Sequence, residues 1–138
     1  MNFLKKIGRK KKEGALSSEE VKKIVTDLES ICGDDKEIYE ALLNIILLDP
    51  RKIGKSIREA TREAEKFEEL GDMTRAKIWY EIAGGLAIYD GNVEEVKEIF
   101  GKCEKLFNRK YPILKIPERA VAKAQEYYQK YLRQEEKR

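Results

Sequence analysis

Five bases recur at helical spacing in the middle of the chain. Arg51, Lys55, Arg58, Arg62 and Lys66 are separated by four, three, four and four residues, which lines them along one face of a helix. Ile53, Ile57, Ala60, Ala64 and Phe67 fall on the opposite face. A planar guanidinium donates two parallel hydrogen bonds to a carboxylate or phosphate, so such a face suits recognition of an acidic partner. Glu59, Glu63, Glu65 and Glu69 flank the stripe and offer it a second use, as a solvated face laced with ion pairs worth about 0.2–0.5 kcal/mol each.

A second set of bases lies nearer the C-terminus, within residues 102–123. Lys102, Lys105, Arg109, Lys110, Lys115 and Arg119 surround Tyr111. Cations interleaved with an aromatic ring suit single-stranded nucleic acid, where phosphates pair with the bases and a nucleobase stacks on the ring. Lys105, Arg109, Lys110 and Tyr111, together with Lys10, Lys11 and Lys12 of the N-terminal run, therefore make up an alternative RNA-binding surface. Tyr127, Tyr128 and Tyr131 are spaced to dock onto a helical core with their hydroxyls toward water.

Catalytic chemistry is poorly supplied. Histidine is absent from the 138 residues, which removes the commonest neutral-pH acid/base and metal ligand. The carboxylate pairs Glu59/Glu63 and Glu65/Glu69 carry no sign of burial. Gly84-Gly85 lacks the strand and the pattern of a phosphate loop, and Cys32 and Cys103 lie too far apart in sequence for a clustered thiolate site. The sequence thus reads as non-catalytic, with no cofactor and no metal.

Charge is distributed unevenly. Residues 1–12 hold six bases and no acid, residues 13–100 hold 12 bases against 21 acids, and residues 101–138 hold 11 bases against 5 acids. The net +3 at pH 7 conceals an acidic middle between basic ends, so partners of either sign are accessible. Hydrophobic residues make up 41% of the chain, enough for a modest core. No apolar run approaches the roughly 20 residues of a membrane-spanning helix. The opening MNFLKKIGRKKKEG has no apolar stretch after its bases, unlike a secretory signal, and the expected location is cytoplasmic. There the two cysteines read as buried thiols. The Glu- and Lys-rich composition, with three Gln and four Asn, is thermophile-like and keeps a Cys32–Cys103 disulfide as an alternative.

The chain divides into a basic tail over residues 1–16, one α-helical domain over 17–132 and a charged tail over 133–138. Phe3, Leu4 and Ile7 among the lysines of the first tail suit contact with an anionic membrane or RNA; a plain solubilising tail has the same composition. Within the domain, Ser17 with Glu20 is a capping box for a first helix that stops at Gly33. Asp34 with Glu37 caps a second helix ending near Leu48. Asp49 and Pro50 start a long third helix that runs to Gly71. Asp72 caps the fourth, whose segment Ile78–Tyr89 has a single charge, Glu81, and so belongs at the centre. Gly84-Gly85 lets a neighbour approach it closely. Asn92 caps a fifth helix, and Pro117 opens a sixth with Ala120, Val121 and Ala124 inward. About six helices joined by short connections predict an all-α fold of antiparallel helical hairpins.

Three segments share a pattern. Gly33-Asp34 is followed by Ile38, Leu42 and Ile45; Gly71-Asp72 by Ala76, Tyr80 and Ala83; Gly91-Asn92 by Val96, Phe100 and Cys103. Each is a helix stop, a cap and an apolar stripe at offsets of five, nine and twelve from the glycine. The pattern resembles the second half of a tetratricopeptide repeat (TPR), with Ala64 and Phe67 at that family's small and aromatic positions and Leu48-Asp49-Pro50 like its closing turn. Gly33 and Gly71 are 38 residues apart, about one helical turn more than the family's spacing. The resemblance implies a short, degenerate TPR-like solenoid, a right-handed superhelix that binds a peptide or protein. It also places Arg58 and Arg62 where carboxylate-clamp members carry bases for a peptide C-terminus. Of companion asparagines, the helices offer only Asn44 and Asn92. Arg51, Lys55, Arg58 and Arg62 are the expected partner-binding residues. With about two recognisable units, the last helix or a second copy of the chain must cap the array.

Overall fold

The computed structural model describes residues 17–43, 45 and 50–133. Among them every regular element is helical. In order these are α1 (Ser18–Cys32), α2 (Lys36–Leu42), α3 (Ile57–Glu69), α4 (Met73–Tyr89), α5 (Val93–Phe107) and α6 (Pro117–Tyr127). Short 3-10 turns occupy Pro50–Lys52 and Pro112–Lys115, and a π turn, Tyr128–Leu132, continues α6. The all-α expectation, with six helices packed as hairpins, holds for these residues.

Local chemistry accounts for most of the boundaries. The Ser17 hydroxyl accepts the Glu20 N–H at 3.1 Å, and the Glu20 carboxylate accepts the Ser17 N–H at 3.0 Å, the reciprocal box that starts α1. Asp72 and Asn92 start α4 and α5 by accepting the N–H groups of Arg75 and Glu95. At the other ends of the same joints, Gly71 and Gly91 hold φ of 78° and 74°. Their N–H groups bond to Glu68 and Ile88, and those of Asp72 and Asn92 reach back to Phe67 and Ala87. These paired bonds are Schellman closures, for which the left-handed glycine is the least strained residue. All apolar positions of the threefold sequence pattern are buried except Ile45, which is half-buried.

Three expected boundaries are corrected. The second helix, α2, ends at Leu42 and not near Leu48, with Leu43 and Ile45 already in turns. The cap of α2 is Asp35, which accepts the Ile38 N–H at 3.1 Å, not Asp34, because Gly33 closes α1 without the Schellman pair and one more residue is needed to turn. The third helix does not begin at Pro50. After the 3-10 turn the chain passes through Gly54 at φ 66°, in the left-handed region that favours glycine and interrupts the helix. Ser56 and Glu59 then form a second capping box, with bonds of 3.0 and 2.9 Å. Asn44, Ile46, Leu48 and Asp49, the N-terminal tail and residues 134–138 lie outside the described residues.

α4 is the centre of the stack. It is buried along almost its whole length from Ala76 to Ile88, and α3 and α5 pack on it through two hairpins. At Gly84 the α5 ring of Phe100 comes so near that a Cβ there would collide with it. α6 packs against α1, α2, α4 and α5. Its Gln125 side chain donates to the Ile88 and Tyr89 carbonyls at 2.6 and 2.9 Å. Arg133 donates to the Tyr89 carbonyl at 2.9 Å and to Gln125 at 3.1 Å. Those carbonyls lie at the end of α4, where helix carbonyls lack intrahelical donors; Ile88 also accepts the Gly91 N–H of the closing turn. Arg133, the first residue of the expected C-terminal tail, is therefore anchored. Arg119 bonds to Asp35 and Glu37 at 2.6 and 3.3 Å, so α6 also holds the α1–α2 pair. No described helix is long and apolar enough to cross a membrane.

Candidate functional site

Because α3, α4 and α5 are joined by three-residue turns, α3 and α5 run in the same direction on α4 and leave a groove between their N-terminal ends. The groove has a volume of about 560 Å³ and is lined by Ser56, Ile57, Arg58, Thr61, Arg62 and Glu65 on one side. Asp90 and Glu95 line it on the other. That volume falls within the range of about 300–1,000 Å³ typical of ligand sites.

Its α3 wall is fixed by the capping box just before it. Glu59, bonded to the Ser56 N–H, is held below its usual carboxylate pKa by that bond first, with Lys55 and Arg62 adding smaller attractions. Thr61 returns its hydroxyl to the Ile57 carbonyl at 2.8 Å. Arg58 and Arg62 are exposed, one turn apart, and neither forms an ion pair within 4.0 Å among the described residues. Glu65, Asp90 and Glu95 also form none. The groove thus holds charges of both signs that do not neutralise one another directly.

The five-base stripe is not one helical face. The break before Ser56 sends Arg51 and Lys55 elsewhere. Arg51 donates to the Leu132 carbonyl at 3.4 Å, and the Lys55 ammonium stands 5.9 Å from the centre of the Trp79 ring. Lys66 pairs with Glu63 at 3.2 Å. Of the four expected partner-binding residues, the structure brings only Arg58 and Arg62 together in the groove. In the sequence Asp90 reads as part of the Asp90-Gly91-Asn92 joint and Glu95 as support for the Asn92 cap, not as site residues; only the α3–α4–α5 topology sets them opposite the arginines. The Ser56–Glu59 box is legible in the sequence as Ser-x-x-Glu, but proline at position 50 offers a competing helix start.

The second basic set is dispersed. Lys105, Arg109 and Lys110 are exposed, but Tyr111 is buried, with 7% of its surface accessible. Its ring packs on Phe100 at 5.2 Å, and its hydroxyl donates to Glu81 at 2.5 Å. Burial, and then that bond, raise the tyrosine's pKa. The expected stacking residue is therefore a core residue and offers no face to a nucleobase. Arg119 is committed to Asp35 and Glu37, and Lys102 lies 5.0 Å from the Tyr80 ring centre. Lys10, Lys11 and Lys12 lie outside the described residues.

Both cysteines are free thiols and buried. Burial, reinforced by nearby Glu81, pushes Cys103 up to about 12, and burial also raises Cys32. Among the described residues no group of three or more acidic or cysteine side chains is placed to hold a metal ion.

Comparison of the chain with protein-family models, with curated proteins and with solved structures finds no match.

Proposed function

We propose that the protein is a non-catalytic, cytoplasmic interaction module that takes a segment of a protein or peptide into the groove between α3 and α5, with Arg58 and Arg62 receiving its acidic groups. The observation that carries this reading is the pair of exposed arginines, one helical turn apart, without ion-pair partners among the described residues, in a groove of ligand size. A guanidinium left unpaired is free to make bidentate bonds to a carboxylate brought by a partner. The TPR-like pattern of stops, caps and stripes supports the same use, since stacked helical hairpins offer extended binding surfaces. The basic N-terminal tail adds a long-range attraction for an acidic partner.

The test is affinity capture from nuclease-treated lysate with the wild-type chain, Arg58→Glu/Arg62→Glu and Arg58→Lys/Arg62→Lys. Loss of the same proteins from the double-Glu capture, with partial retention by the double-Lys chain, supports the reading. An identical set on all three chains removes it. Proteins that vanish with nuclease treatment alone favour nucleic acid instead.

A further inference from the structure

The groove's walls differ in charge, and their spacing restricts what can fill them. Arg58 and Arg62 are four residues apart on α3, so their side chains are separated by about 6 Å along the helix axis. In an extended chain, residues i and i+2 point to one side and lie about 6.6 Å apart, while residue i+1 points to the other. An extended segment running along α3 can therefore offer one acid to each arginine from positions i and i+2. Its residue i+1 then faces the opposite wall, where Asp90 and Glu95 stand. Glu65, three residues beyond Arg62, ends the positive run and opposes a third acid.

We infer that the segment recognised in this groove is an extended stretch of protein whose side chains alternate acid, base, acid. The inference rests on the proposal that Arg58 and Arg62 receive a ligand, and it specifies the chemistry of that ligand. A helical ligand can also set two acids about 6 Å apart, at i and i+4, but at about 10–12 Å across it is too thick for a groove of about 560 Å³ to admit more than roughly one turn. A purely acidic segment satisfies the arginines but sets like charge against Asp90 and Glu95. A purely basic one does the reverse. Only alternation answers both walls at once.

The experiment is selection of a displayed random peptide library on the full chain, with counter-selection on Arg58→Glu/Arg62→Glu, followed by affinity measurement on Glu95→Lys. These side chains lie in the groove, and Glu95 joins the α5 cap through its backbone N–H to Asn92, so its replacement keeps that hydrogen bond. Because Glu95 is also an acid in the first turn of α5 and Arg62 attracts Glu59 of the α3 box, thermal melts of the variants separate lost binding from lost fold. The expected result is enrichment of acid–base–acid triplets over acid–acid–base permutations of the same composition. Glu95→Lys should weaken a selected peptide by about three- to tenfold, the scale of one exposed ion pair turned repulsive, while Glu95→Gln weakens it less. Enrichment of acids with no base between them, or affinity unchanged in Glu95→Lys, overturns the inference and leaves the role of Arg58 and Arg62 standing. Absence of any peptide whose binding depends on those arginines overturns both.

Discussion

Gly84 of α4 and Phe100 of α5 meet so closely that the ring occupies the place a Cβ at position 84 would take. This contact sets the separation of α4 and α5, and hence the position of the groove's far wall. Phe100 is fully buried and packed on Tyr111, so its ring has little room to withdraw.

Gly84→Ala should therefore destabilise the protein by about 1–3 kcal/mol, the usual range for overpacking. Its better helix propensity, worth about 1 kcal/mol in an exposed helix, offsets part of that. Thermal melts followed by circular dichroism check it. Adding Phe100→Leu should cost less in the Gly84→Ala background than in the wild type, since the two residues share one space. Equal costs in both backgrounds would separate the two residues.

Asp35 and Glu59 both ionise more readily in the folded chain. For Asp35 the leading cause is the Ile38 N–H, followed among attractions by Arg119; for Glu59 it is the Ser56 N–H. The unfolded reference values are about 3.9 and 4.3. A lowered folded pKa contributes stability that is complete above the unfolded value and is lost as pH falls through the folded one. Melting temperature should hold from neutral pH to about 5 and then fall on acidification. Asp35→Asn and Glu59→Gln should shallow that acid limb, and Asp34→Ala, which removes no cap, should not. An acid limb unchanged in the first two variants would contradict the assignment of these caps.

Cys103 behaves oppositely at high pH. Its thiol is raised to about 12 by burial, so the unfolded chain ionises first, and the stability it contributes is present below about 8.5 and lost as pH rises toward the folded value. A thiol-specific disulfide reagent at pH 8 should modify neither cysteine on the timescale on which it modifies both in denaturant. Rapid labelling of the native chain at Cys103 would contradict its full burial beside Tyr111 and Glu81.

Much of the fold was legible because it was written locally. Ser17-x-x-Glu20, Gly71-Asp72 and Gly91-Asn92 each complete a cap within a few residues, and the nearly uncharged run of α4 could only be interior. The misreadings came where two local signals competed. Pro50 suits a helix start, yet Gly54 turns the chain in the left-handed region and Ser56 supplies the cap, and this shift removes Arg51 and Lys55 from the candidate face. Tyr111 sat among bases in sequence, but its neighbours in space are Phe100 and Glu81, a relation no spacing could disclose. The groove itself was half visible. Arg58 and Arg62 share one helix and could be paired from periodicity, whereas Asp90 and Glu95 join them only through the path of α4.

The most direct test of the groove is an amide NMR titration of the 16.1 kDa chain with an acid–base–acid peptide chosen by the selection above. The account predicts shifts concentrated at Ser56–Glu65 and Asp90–Glu95, and their disappearance in Arg58→Glu/Arg62→Glu. Shifts clustered at Lys105–Tyr111, with the groove amides unmoved, would contradict it.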